Sequence, residues 1–392
     1  MAEKQTALQP DIGLRAVLAS GLVCFCAGAL YGWSALIAPL QATFAVTTAQ
    51  TGLVFSLAIV SFTLAVIATP MIPIETARPR IVGAYGFIAA LCVYGAAHAA
   101  SFPAYLLWFS GGFGAASGGV YITALGVAGR MRRHTVATPA MVAAFGLGGA
   151  VFGPLWRQLD GLGWGLSGLI PLGVVLVVAS LIAALTPAPR QHVSAQNRGP
   201  AIGQDVYTRR MMRLIWILFA LGSFSGLMVL GLGAKMMDAA GANAGLASVG
   251  MAGIALGNTG GRLSVAGLSQ RLQMEQILSI ALALTLIGLS FALIPVSPAS
   301  VCLGLFLVAM GYGLVASTVP VLTRITFGSL SFQRSFAVIF TAWGLAGFLA
   351  PWVGGALYDL GQSFTLPLIC AVFTAVTFGI AIRRLAKGTP SC

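Results

Sequence analysis

Apolar runs of roughly 20 residues recur along this chain, each closed by charge or turn residues, and that pattern excludes most folds. Twelve can be read, at about 14–40, 51–73, 81–100, 104–128, 136–156, 164–186, 213–236, 245–268, 275–295, 301–323, 335–357 and 364–382. Runs of this length predict membrane-spanning helices rather than barrel strands. Of the 392 residues, 58% are hydrophobic and 7% charged, where soluble domains carry about a quarter charged. An all-α membrane protein with the lipid bilayer as its surroundings is therefore expected.

The formal charge of +13 does not point to nucleic acid. With the N-terminus in the cytoplasm, eighteen of the 21 basic residues fall on cytoplasmic loops and ends, among them Arg130, Arg132, Arg133, Arg190, Arg198, Arg209, Arg210, Arg213, Arg383, Arg384 and Lys387. Arg157 and Lys235 lie near the other face, and Arg262 lies within a span. This is the positive-inside bias, so the charge reports topology. Both termini are expected in the cytoplasm, in a bacterial inner membrane. Residues 1–13 are short and polar and the first span is too long for a signal h-region, so no cleaved leader is expected.

The polar stretch "TPAPRQHVSAQNRGPAIGQDVYTRRMMR" divides the spans six and six, giving bundles at 1–186 and 213–392 with a cytoplasmic linker at 187–212. The halves share features. "FGLGG" at 145–149 matches "WGLAG" at 343–347, and Tyr121 stands as far from Arg133 as Tyr312 does from Arg324. Two six-span repeats about an axis normal to the membrane place a substrate site near the midplane between them. The GxxxG pairs Gly114–Gly118, Gly149–Gly153 and Gly257–Gly261 read as helix-packing faces.

One charge stands out inside this frame. Arg262 lies about seven residues, roughly 10 Å, inside the cytoplasmic end of the eighth span. A mid-span arginine costs about 2.5–3.5 kcal/mol on insertion scales and normally faces a cavity or a partner. Asn258 precedes it by four residues and shares its face. Gly257, Gly260 and Gly261 leave room beside them, while Arg271 already marks the loop. The competing reading is a loop arginine snorkelling to the interface. Aligning Gly245 with Gly52 puts Thr69 opposite Arg262, so the cation belongs to one half only. A lone guanidinium suits a small anion, since its planar fork can bind a carboxylate through two parallel hydrogen bonds. Tyr121 and Tyr312 occupy equivalent mid-span positions from which each phenol can donate to that anion, and Leu30 with Leu147 and Gly148 would wall off a short alkyl group.

The span-8 "GNTGGRL", the span-4 tyrosine and the span-5 "FGLGGAVFGP" resemble the monocarboxylate transporter and oxalate/formate antiporter branch of the major facilitator superfamily. The superfamily resemblance covers essentially the whole chain. It implies two six-helix bundles related by pseudo-two-fold symmetry, with the span-8 arginine holding the substrate carboxylate and the span-4 and span-10 tyrosines assisting, here Arg262, Tyr121 and Tyr312. Oxalate-type members carry a second cation in span 11; here that span holds Trp343 and no cation before its end, which favours a monocarboxylate such as lactate or pyruvate. Animal-type members have an aspartate where Asn258 stands and a lysine in span 1, which this chain lacks. The loop between spans 2 and 3 keeps only Glu75, Arg78 and Arg80 of the usual signature.

The expected activity is secondary transport by alternating access, with a proton as coupling ion. None of the eight acidic residues is mid-span; the candidates for coupling are Asp238 and its neighbour Lys235. Anion exchange and export of hydrophobic compounds are the alternatives. An enzyme is not expected. His98, His134 and His192 are scattered, and Cys24, Cys26, Cys92, Cys302, Cys370 and Cys392 show no disulfide or zinc spacing, so neither metal nor cofactor is expected. The short linker and tail suggest no obligatory partner, so a single chain should suffice.

Overall fold

The computed structural model describes residues 13–72, 78–131, 134–187 and 206–388. Glu75, Arg132, Arg133, Arg190, His192, Arg198 and Cys392 lie outside the described residues. The described chain is helical with no strand, as a layer without water requires. Twelve membrane-length segments follow one another: α1 (Leu14–Phe44), α2 (Thr48–Ala68), α3 (Pro79–Ala97), α4 (102–129), α5 (His134–Gly161), α6 (Gly165–Leu185), α7 (Val206–Ala239), α8 (Ala244–Leu268), α9 (Met274–Leu293), α10 (Pro298–Phe327), α11 (Ser335–Gly361) and α12 (Thr365–Gly388). Ten are long and apolar enough to cross a membrane; α4 is divided by a π-helical stretch, Leu106–Phe113, and α8 carries Arg262 among its glycines. Residues 206–212, read from their polarity as linker, instead form the first turns of α7, where Met211 turns inward and is buried while Arg209 and Arg210 stay exposed.

Local chemistry sets several helix starts. Thr47 and Gln50 form a capping box at α2, Ser297 and Ser300 another at α10, and the Asn243 side chain accepts from the Leu246 N–H at 2.9 Å to start α8. Helical backbone continues from α10 into α11, yet the Trp343 Nε1 donates to the Tyr312 Oη at 2.6 Å. Residues so far apart would stand about 46 Å apart on a straight helix, so the chain doubles back between them.

The pseudo-two-fold shows in which helices touch most closely. Gly114 and Gly118 of α4 lie on the backbone of Ala58 and Phe62 in α2, as Gly257 and Gly261 of α8 lie on Phe306 and Met310 of α10. Gly28, Gly32 and Gly149 bring α1 against α5; Gly231 and Gly354 bring α7 against α11. Across the halves, α2 meets α11 where Gly52 faces the Pro351 carbonyl and Gly355 faces that of Thr48. The equivalent seam joins α5 and α8, with Gly146 against Thr259 and Gly153 against Met251. The GxxxG pairs are thus backbone contact rows.

The start of α1 and the end of α12 lie on one face because the number of spans is even. On the opposite face, side chains tie the halves together. The Asp359 carboxylate at the end of α11 accepts from the N–H groups of Thr48 (3.1 Å) and Ala49 (2.7 Å), capping a helix that belongs to the other half. Asp238 of α7 forms a bidentate ion pair with Arg157 of α5. The Lys235 Nζ donates to the Gln41 Oε1 at 3.1 Å and sits 4.9 Å from the Tyr358 ring.

Two expectations follow. A Cβ at Gly28 would overlap the Phe145 carbonyl, whereas one at Gly129 would meet nothing within 4 Å. Gly28→Ala should cost about 1–3 kcal/mol and lower the thermal midpoint of purified protein, with Gly129→Ala neutral or slightly stabilising. Removing the cross-half cap with Asp359→Ala should cost the closed face about 1 kcal/mol, roughly fivefold in population. That change should appear as faster labelling of Thr48→Cys, a position 2% exposed in this state, by a membrane-impermeant maleimide applied from that face.

Candidate substrate-binding site

Side chains on a helix lean toward its N-terminus. α8 begins on the face opposite the termini, so the Arg262 guanidinium is carried away from the nearer interface and into the middle of the bundle. Its partners confirm the direction. Nε donates to the Asn258 Oδ1 at 3.0 Å, and Nη2 donates to the Tyr31 Oη at 3.0 Å and to the Tyr312 Oη at 3.5 Å. Tyr31 and Tyr312 stand near the middles of α1 and α10. Their rings lie 5.8 and 5.7 Å from the guanidinium carbon, close enough for cation–π attraction. Arg262 is thus held at mid-helix depth and does not bend to the interface.

Each partner is positioned by close backbone packing. Gly313, next to Tyr312, lies against the Asn258 carbonyl and the Arg262 N–H, which brings α10 onto α8 beside the cation. Gly226 of α7 lets the Tyr312 ring settle on its backbone, since a Cβ there would collide with it. Tyr31 projects from Gly28–Leu36, a 3-10 stretch within α1. Asn258 is 0% exposed, and its Nδ2 has no hydrogen-bond partner. A buried donor left unpaired costs about 1–3 kcal/mol, so this amide has a donor ready for a ligand beside the guanidinium.

An aromatic belt encloses these groups and crosses between the halves. Phe145 packs edge-on to Tyr31 and Tyr121, each at 5.2 Å, and Phe62 lies 5.6 Å from Tyr121, Phe145 and Trp343. Trp343 stacks on Phe340 at 5.0 Å while its Nε1 holds the Tyr312 oxygen. Tyr121 is within electrostatic reach of Arg262 but belongs to this belt.

The structure therefore gathers Arg262, Asn258 and Tyr312, with Tyr121 behind them. The expected apolar wall is distributed otherwise. Leu30 is fully buried in the bundle core, and Gly148 lies against the backbone of Phe25, Gly28 and Ala29, where it closes the α1–α5 seam. Leu147 points out of that seam and is 37% exposed, with exposed Val151 one turn on. Phe145 provides the apolar surface beside the tyrosines instead. Asp238 and Lys235 do not pair with each other: Arg157 and Gln41, both from the other half, take them. An (i, i+3) spacing permits a contact, but a bidentate guanidinium outcompetes a single ammonium for the carboxylate.

Sequence reasoning missed Tyr31 and read Trp343 as an absence of polar chemistry. The signal for Tyr31 was its position beside Leu30 near the middle of the first span; for Trp343 it was an indole N–H that a buried tryptophan normally satisfies. Among the described residues, no three His, Cys, Asp or Glu side chains come together as a metal site.

No family model matches the sequence. The chain is 24% identical over 338 residues, 82% of each protein, to YhjX of Escherichia coli K12, an uncharacterised transporter of the major facilitator type. Its fold is similar to a bacterial homologue of the human lysosomal transporter Spinster in an inward-facing, unoccupied conformation, with a TM-score of 0.71, 15% identity, and 96% and 98% of the two chains covered. The nucleoside transporter NupG superposes with a TM-score of 0.69 at 14% identity, covering 94% and 99%. Taken with the twelve helices and their two-fold seams, these likenesses show that the chain shares the all-α, two-bundle membrane fold of these solved transporters.

Proposed function

We propose that this protein carries a small monocarboxylate anion across the membrane by alternating access, with the carboxylate held by Arg262. The observation that carries this reading is a permanently charged guanidinium at mid-helix depth whose hydrogen-bond partners are two phenols and an amide, all neutral. The described acids Asp160, Asp238, Glu275 and Asp359 lie at or near helix ends. The charge therefore calls for a counter-ion that arrives with the substrate. With Nε and Nη2 engaged, Nη1 and the Asn258 Nδ2 are the donors left for one carboxylate. A dianion such as oxalate would bring a second charge to a site with one cation.

The positive-inside bias supports a cytoplasmic location for the face bearing the termini, and the Escherichia coli relative supports a bacterial membrane. A single chain contains the whole site, and the chemistry proposed needs no cofactor. Coupling admits two schemes. Proton symport would use Asp238, whose carboxylate is tied to Arg157. Anion exchange is better supported, because the empty site would have to reorient with an uncompensated guanidinium, whereas an anion travelling each way neutralises it.

The decisive experiment is uptake of labelled pyruvate, lactate, acetate, formate and oxalate into liposomes containing the purified protein, with and without an inward proton gradient. Arg262→Gln should reduce uptake of every accepted acid at least 100-fold, and Arg262→Lys, which keeps the charge but loses the fork, by about tenfold. Normal uptake by Arg262→Gln rules out the carboxylate site. Exchange predicts that uptake needs an acid trapped inside and ignores the gradient. Acid-driven uptake into empty liposomes, lost in Asp238→Asn, would establish symport instead.

A further inference from the structure

The aromatic rings beside Arg262 meet across the halves at Phe62. This ring of α2 lies 5.6 Å from Tyr121 and Phe145 of its own half and 5.6 Å from Trp343 of the other. Phe62, Phe145 and Trp343 are 3%, 1% and 4% exposed, so in this state the rings are closed on one another. Two of these neighbours are fixed by further ties. Trp343 donates to the Tyr312 Oη and stacks on Phe340. Phe145 packs edge-on to Tyr31, and its carbonyl lies where a Cβ at Gly28 would fall. Phe62 has no polar tie, and its backbone is set by contact with Gly118. Its ring can therefore be cut back without disturbing the partners of Arg262.

The direction of approach decides what that ring meets. The halves are tied where α2 and α8 begin, by Asp359, by the Arg157–Asp238 pair and by the Gly52–Pro351 contact. In this state a ligand reaches Arg262 from the other face. Trp343 and Tyr121 stand farther from the tied ends of their helices than Tyr31 and Tyr312 do from theirs, so the rings lie on the approach side of the guanidinium partners. A carboxylate entering head first pairs with Arg262 and leaves its carbon chain trailing against Phe62.

We propose that the Phe62–Trp343 contact is a length filter: the halves close over an acid whose chain ends beneath these rings, and a longer chain holds them apart. The inference rests on the carboxylate reading above and adds to it a limit on chain length and the residue that sets it. Phe62 is a specificity-determining residue, which meets the chain and not the carboxylate. In an apolar enclosure one methylene is worth about 10–200-fold in discrimination. An overfilled enclosure yields only by moving side chains that are already packed. Shortening Phe62 leaves room for a longer chain under the closed halves.

The test is counterflow. Liposomes containing the purified protein are loaded with the labelled acid carried best in the uptake assay above. They are then diluted into acetate or straight-chain 2-oxo acids of three to eight carbons, and release of label is followed. For the wild-type protein the acids of two and three carbons should release label at least about tenfold faster than the eight-carbon acid. Phe62→Ala should narrow that ratio at least threefold, with Phe62→Leu in between. A Phe62 that merely packs the halves together would slow every acid alike; an unchanged ratio in a folded variant therefore overturns the proposal. Equal release by short and long acids in the wild-type protein overturns it as well. If Phe62→Ala does not fold, Phe62→Leu and the wild-type ratio decide. Should the uptake assay find no acid carried, the carboxylate reading falls and this inference with it. Release by acids of every length alike leaves that reading standing and sinks only this one.

Discussion

A guanidinium in a membrane has to be solvated by the protein, because it cannot shed its proton. Here that requirement falls on Tyr31, Tyr312 and Asn258, and most of the surrounding architecture follows from bringing them together. Tyr312 reaches the cation because Gly257, Gly261 and Gly313 let α8 and α10 touch backbone to backbone. Tyr31 reaches it from the other half because α1 lies against α5 through Gly28 and Gly32, while α5 lies against α8 through Gly146. Lipid offers no hydrophobic drive for helices to associate, so these close approaches are what hold the polar cluster in register.

Much of this was legible in the sequence, and the limits have physical causes. The apolar runs located the helices because backbone groups have no alternative partner in hydrocarbon. Asn258 and Arg262 were readable as neighbours because both lie on one helix at a spacing that fixes their relation. Tyr312 could be reached through the repeat. Contacts between helices were not available in this way. Asp238 and Lys235 look like a pair along α7, yet Arg157 and Gln41 from elsewhere bind them more favourably. A glycine such as Gly148 suits a cavity wall and a packed seam equally well, and only the crossing of α1 and α5 shows that it serves the seam. The start of α7 was hidden for a related reason, since a helix can project a polar first turn into water without losing its backbone bonds.

Trp343 carries the same lesson at the level of one atom. Its bulk suggested an apolar stop, while its one polar contact is an N–H aimed at a phenol. Because the same ring touches Phe62 of the other half, the tryptophan lies both beside the partners of Arg262 and at the contact between the two halves. Arrangements of that kind make ligand chemistry and domain packing share one side chain.

The winding of α1 has a mechanical consequence. Its Gly28–Leu36 segment of 9 residues follows the narrower 3-10 path, which rises about 2.0 Å per residue against 1.5 Å for an α-helix. Rewinding the segment as α-helix would shorten it by about 4–5 Å and swing Tyr31 around the helix axis, off the guanidinium. The helix thus stores a short length of travel at the depth where the cation sits.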